Sequence, residues 1–325
     1  MKWTLGLGVI AITAAAACGD DSNGSGGGQA GGAGSGGSTV ATGGAGGGPG
    51  DVARGQYLVD TVLVCGHCHT PSDANGTPDA AKYLAGSRSY DFTTDTGEVV
   101  SVYAENLTSS PEQGVGTWTD EMVRTAIVGG TDDDDVSLWP IMPYPEYALL
   151  TEDDLGSIVK YLRSVAPNEN VVASDTLPNP YPPAPPITNV QVPMPTLDAS
   201  DRAYDAALRG RYLATVACVQ CHTPELSPGN PDLAQAFAGG RTYTSRSDLA
   251  PSTSTNITPA ALGLGDATVE DIAAAMKGNT STTGAALCKG APHKMSGMTD
   301  GDLADIATYL HALPPIESGP FQCEE

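Results

Sequence analysis

The pentad Cys-x-x-Cys-His occurs twice in this chain, as Cys65-Gly66-His67-Cys68-His69 and as Cys218-Val219-Gln220-Cys221-His222. The copies lie 153 residues apart, and each runs on into Thr-Pro. No other feature of the 325 residues restricts the chain so tightly. Two thiols three positions apart lie on one side of a helical turn. An imidazole follows at once. Such a set can grip one edge of a flat group and aim a nitrogen at its centre.

That is the chemistry of covalent haem attachment. Cys65 and Cys68 would add to the two vinyl groups of one haem, with His69 facing its iron. Cys218, Cys221 and His222 would do the same for a second. A redox dithiol of the thioredoxin kind needs a βαβ setting that this sequence lacks. A zinc site built from both pentads would require the halves to converge on one metal. His67 is a spacer by position.

The pentads belong to a longer repeat. "RGQYL" at Arg54 returns as "RGRYL" at Arg209, "AGSRSY" at Ala85 as "AGGRTY" at Ala238, and "ENLT" at Glu105 as "TNIT" at Thr255. "LTEDDLGSIVKYLRSVAP" at Leu150 returns as "MTDGDLADIATYLHALPP" at Met298. Thr151 and Thr299 read as helix N-caps with acids in the first turn. Leu155, Ile158, Val159 and Leu162 follow at helical spacing, as do Leu303, Ile306, Ala307 and Leu310. Helices are also expected over 52–64 and 204–217, ahead of each pentad, and no alternating strand run stands out. The expected class is all-α, with domains over 51–167 and 200–315. Between them, 168–199 is a Pro-rich linker that should be extended and stiff, and 316–325 is a tail.

The first 50 residues cannot form a core. Met1-Lys2-Trp3 is a short basic start, and an apolar or small stretch ends at Cys18, too short to span a membrane. "AAAACGD" resembles a bacterial lipobox with Cys18 as the acylated residue, although Ala15 stands where Leu is usual. Ala15 and Ala17 also satisfy ordinary signal cleavage. Residues 19–50 are nearly all Gly, Ser, Ala and Thr, a flexible tether that favours a lipid anchor over free secretion. The expected location is outside the cytoplasm, on a periplasm-facing membrane. With 38 acids against 15 bases the net charge is −23. Such a surface repels nucleic acid. Asp132 to Asp135 is either a solvated loop or part of a docking face for a basic partner.

Aromatic residues make up only 6% of the chain, and Phe occurs three times, so a pocket-filling prosthetic group would make good a thin core. Met142 sits in "LWPIMPYPEY", an irregular stretch framed by Pro140 and Pro143. That framing suits a sixth iron ligand better than core packing does. Met122, the other methionine nearby, falls in an expected helix. The second half has no "MPY"; Met295 and His293 compete there, and an open iron is the third option. Arg88, Tyr90 and Asn106 recur as Arg241, Tyr243 and Asn256, and are candidate donors to haem propionates. With five cysteines assigned to haem or lipid, Cys288 and Cys323 remain, and an oxidising compartment favours a disulfide between them.

Each half resembles the class I cytochrome c domain, and the first half is most similar to exported bacterial cytochromes with "NLT…GxWTDEE…MPY…LTxEDL…YLRS". The resemblance implies three or four helices round a haem, with the last packed across the first. It implies His69 and Met142 as axial ligands, two covalent haem c groups, and single-electron transfer between redox proteins. One such partner would be a dehydrogenase of which this chain is the cytochrome subunit. The alternatives are a dihaem peroxidase-like enzyme or a haem-based ligand sensor, both needing an open iron in the second half.

Overall fold

A computed structural model of the chain describes residues 50–73, 77–87, 89–93, 98–176, 183–243, 252–287 and 295–319. The described residues all fall within one compact unit. Eight α-helices are described: α1 (Val52–Tyr57), α2 (Gly66–His69), α3 (Asp120–Gly129), α4 (Tyr144–Tyr147), α5 (Glu152–Ser164), α6 (Tyr204–His222), α7 (Val269–Gly278) and α8 (Asp300–His311). The chain is therefore mainly helical, as its apolar spacing predicts. It also holds small antiparallel ribbons that no alternation announced: β1 (Ser89–Thr93) with β2 (Val99–Tyr103), β3 (Glu225–Ser227) with β4 (Asn230–Pro231), and β5 (Thr242–Tyr243) with β6 (Ser252–Thr253). Two to five residues per strand are too few for a period-2 pattern to show.

In each half the last helix packs across the first, α5 on α1 and α8 on α6. A glycine makes each crossing. A Cβ at Gly55 would lie 1.9 Å from the Ser157 carbonyl oxygen, and one at Gly210 would lie 1.9 Å from that of Asp305. Leu155, Ile158, Val159 and Leu162 are buried on α5, and Leu303, Ile306, Ala307 and Leu310 on α8. Thr151 and Thr299 cap these helices by accepting from Asp154 N and Asp302 N. Thr119 and Thr268 do the same for α3 and α7.

The helices leading to the pentads differ. α6 runs unbroken through Cys218, Cys221 and His222. In the first half, α1 passes into a π-turn over Leu58–Val62, and Val64 has φ +45° before the short α2 resumes at Gly66. Sequence spacing alone would have made these two segments alike.

The Pro-rich segment is fastened to the rest of the fold over much of its described length. Ile187 and Val192 are buried. Ala184 N donates to the Tyr144 hydroxyl, and Arg211 and Tyr309 donate to the Pro193 carbonyl. Asn168 N donates to Thr108 Oγ1 and Ile316 N to Thr258 Oγ1, each strapping the chain back over its own "NLT" or "NIT" turn.

The two halves meet through reciprocal tyrosines. Tyr57 donates to Asp302 Oδ2 at 2.5 Å and accepts from Thr299 N, at the start of α8. Tyr212 donates to Asp154 Oδ2 at 2.7 Å and accepts from Thr151 N, at the start of α5. These are equivalent residues of the repeat, so one contact is made twice with the roles exchanged. The acidic run is an Asx-type turn: Asp132 Oδ1 accepts from Asp134 N and Val136 N, while Asp133 to Asp135 are exposed. That is the geometry of a solvated loop. Among the described residues no helix is long and apolar enough to cross a membrane.

Candidate haem-attachment sites

Each pentad histidine is buried and held through its Nδ1. His69 Nδ1 lies 2.6 Å from the Glu105 carbonyl oxygen, and His222 Nδ1 lies 2.8 Å from that of Thr255. A carbonyl can only accept, so both rings carry a proton on Nδ1. Burial lowers the pKa of His69 and keeps its imidazole neutral, the form that binds a metal.

The surrounding turn explains several of the repeated letters. After the pentads, Thr70 and Thr223 accept from Leu84 N and Phe237 N. Gly86 N and Gly239 N then donate to the carbonyls of His69 and His222. Both glycines have positive φ, +77° and +72°. A Cβ at Gly86 would meet the Ala104 carbonyl oxygen at 2.7 Å, and one at Gly239 the Thr255 carbonyl carbon at 2.5 Å. Only glycine lets the backbone approach the segment that supplies the histidine's carbonyl.

The thiols sit in low-polarity surroundings. Burial, with some help from the neighbouring thiol, pushes Cys218 up to about 12; Cys65, although partly open to solvent, is raised as far. A redox-active dithiol has a lowered pKa, so these are the wrong surroundings for one. Tyr90, buried on β1, donates to Cys68 Sγ at 2.8 Å. Among the described residues no group of three or more His, Cys, Asp or Glu is arranged as a metal cage. The residues fit the thioether-bound haem: paired thiols, a following imidazole whose Nδ1 is engaged by a backbone carbonyl, and so a ring held in one orientation.

Met142 is partly buried and, like Cys65, packs against the hydrophobic core to which Tyr147 belongs. Its loop is stiffened by Met142 N donating to the Trp139 carbonyl and Tyr144 N to that of Met142. Met122 has other work, since its sulfur accepts from Thr119 N at the start of α3. Met298 is a core residue at 1% exposure. Met295 begins a short 3-10 turn and is partly buried against the core, while His293 lies outside the described residues. So do Cys18, Arg88, Cys288 and Cys323, and the Tyr243 side chain.

The asparagines turn out to be ties within loops. Asn106 Nδ2 donates to the carbonyls of Asn168 and Asn170, and its Oδ1 accepts from Thr108 N and Oγ1. Asn256 makes the matching four bonds with Ile316, Ser318 and Thr258. Neither amide keeps a hydrogen for a propionate. Arg241 pairs with Glu225 at 2.8 Å and donates to the Gln220 carbonyl at 2.5 Å, inside the second pentad. The functional part of "ENLT" and "TNIT" that sequence reasoning missed is the backbone of Glu105 and Thr255, ahead of the asparagines. A carbonyl leaves no mark on residue type.

No family model matches the chain. Curated relatives do. A fructose dehydrogenase cytochrome subunit from Gluconobacter japonicus is 28% identical over 82% of this chain and 54% of its own length. A protein named diheme cytochrome c-type, from Cereibacter sphaeroides, is 27% identical over 82% of this chain and 88% of its own. The cytochrome c subunit of a quinone alcohol dehydrogenase from Gluconobacter oxydans is 28% identical over 82% and 56%. The chain thus spans about half the length of the two dehydrogenase subunits. Taken with both pentads and their matching histidine settings, these likenesses identify the chain as a tandem c-type cytochrome, with a covalently bound haem c for each pentad.

Proposed function

We propose that the chain relays single electrons as the cytochrome subunit of an exported, membrane-associated dehydrogenase. The carrying observation is the identical treatment of two histidines, each buried and fixed through Nδ1 by a backbone carbonyl. Bound haem supplies reversible one-electron chemistry. The chain's own residues bind it and restrict it. Cys65, Cys68 and His69 hold haem one, and Cys218, Cys221 and His222 hold haem two. The stiff Met142 loop would supply the sixth ligand of the first iron and close it against others, and Met295 or His293 would do so for the second. Tyr90 positions Cys68. Each haem sits in its own cytochrome c-like half, reaching from the helix before the pentad to the strap beyond the last helix.

The partner follows from the relatives, two of which are named as cytochrome subunits of fructose and alcohol dehydrogenases. A Gluconate 2-dehydrogenase cytochrome c subunit from Pantoea cypripedii, 28% identical over 35% of this chain, adds a third. Cys18 as a lipid anchor on a Gly-rich tether would keep the relay beside a membrane-bound partner. Spectroelectrochemical titration of the purified holoprotein tests the reading. Two reversible one-electron waves with no prompt carbon monoxide binding are expected. Prompt binding at one reduced iron would overturn it, and peroxide turnover would then separate an enzyme from a ligand sensor.

A further inference from the structure

The second pentad touches the first half's ligand loop. Gln220, a spacer of that pentad, donates from Nε2 to the Ile141 carbonyl at 2.7 Å. Ile141 immediately precedes Met142. The loop is short of its own donors, because Pro140 and Pro143 have no N–H. Gln220 is itself braced, for its carbonyl accepts from Arg241, which is paired with Glu225; those side chains are only 13% and 23% exposed. Next to this contact α4 packs on α6. Its Tyr147 is buried, and that burial disfavours ionisation of its hydroxyl, with smaller contributions from nearby Cys65, Cys68, Glu146 and Cys221.

We infer that Gln220 is a positioning residue for haem one, supplied by the haem-two pentad, so that the Met142–iron bond is completed by the other half of the chain. The inference rests on Met142 being that ligand. It makes the two redox centres chemically dependent: the C-terminal half sets how firmly the N-terminal iron is closed.

The test uses holoprotein of Gln220→Met, which keeps length and loses the donor, and Gln220→Glu, which keeps shape and sets an acceptor against the carbonyl. Met142→His serves as the reference. Readouts are the Met–iron charge-transfer band, each haem's midpoint potential, and haem content by mass. Met142→His is expected to abolish the band of one haem. Gln220→Met should shift the Met-bound to Met-free ratio of that same haem about fivefold, the worth of one neutral hydrogen bond, and lower its potential while the other haem's stays put. Gln220→Glu should lose more, and recover as acid protonates the new carboxyl into a donor. Wild-type band and potential in both Gln220 variants would overturn the inference with Met142 still the ligand. A band untouched by Met142→His would instead remove the ligand assignment, and the inference with it.

Discussion

Removing the reciprocal tyrosine hydroxyls is the sharpest probe of how the halves are held. Tyr212→Phe deletes a 2.7 Å bond to Asp154, which is 8% exposed, and a weaker one from Thr151 N. Hydrogen bonds to a charged group contribute roughly 1.5–3 kcal/mol. Asp154 keeps the two-pronged Arg54 pair, at 2.8 and 2.9 Å, so it is not stranded. The low end of the range applies, about 1.5 kcal/mol. Tyr57→Phe deletes the matching bond to Asp302, which is more open to water, and should cost about 1 kcal/mol. Arg54 links the two sites, pairing with Asp154 and lying 5.5 Å from the centroid of the Tyr57 ring, so the double variant should lose about 2.5 kcal/mol, and any departure from that sum measures the coupling through Arg54. Guanidinium unfolding of the holoprotein, followed by circular dichroism and haem absorbance together, measures it. Wild type is expected to unfold in one step. The double variant should drop in midpoint and begin to separate the two signals. Losses under about 0.5 kcal/mol for both singles would refute the latch as a contributor to docking.

Three further outcomes follow from the same geometry. Glu146 is 2% exposed, and burial, helped by Glu225 and opposed by Arg241, pushes its carboxyl up to about 7. The folded protein therefore prefers the neutral acid, and the cost of ionising it is absent below pH ~4.5 and complete above pH ~7. Glu146→Gln should raise stability at pH 8 by up to roughly 3 kcal/mol and leave it unchanged at pH 4.5, as thermal melts at both pH values would show. Gly239→Ala forces a Cβ onto the Thr255 carbonyl carbon at φ +72°. It should destabilise by roughly 3 kcal/mol and disturb the His222 setting, visible as a shifted second haem spectrum; wild-type spectra and stability would contradict this. Arg241→Met should weaken the Gln220 support and shift haem one's potential, read by redox titration, although Arg241 belongs to the other half.

Much of this was legible in the letters. The pentads, the capping threonines and the apolar rows of α5 and α8 are side-chain signals with fixed spacing, and the helices they specify are present. So is the repeat, because a duplicated segment keeps its order. What escaped was carried by backbone. The carbonyls of Glu105 and Thr255 that hold the histidines could come from any residue. Asn106 and Asn256 looked like donors to a ligand because asparagine donates. Only the fold shows their amides turned towards the straps at Asn168 and Ile316. Gln220 was unreadable for another reason: a pentad spacer has no local role, and its partner Ile141 lies 79 positions away.

Haem stoichiometry tests the central claim most directly. Pyridine haemochrome assay and intact mass on purified, matured protein should give two covalent haems for wild type, one for Cys65→Ala/Cys68→Ala, and one for Cys218→Ala/Cys221→Ala. A colourless wild-type protein, or a haem count that neither pair of substitutions lowers, would contradict it.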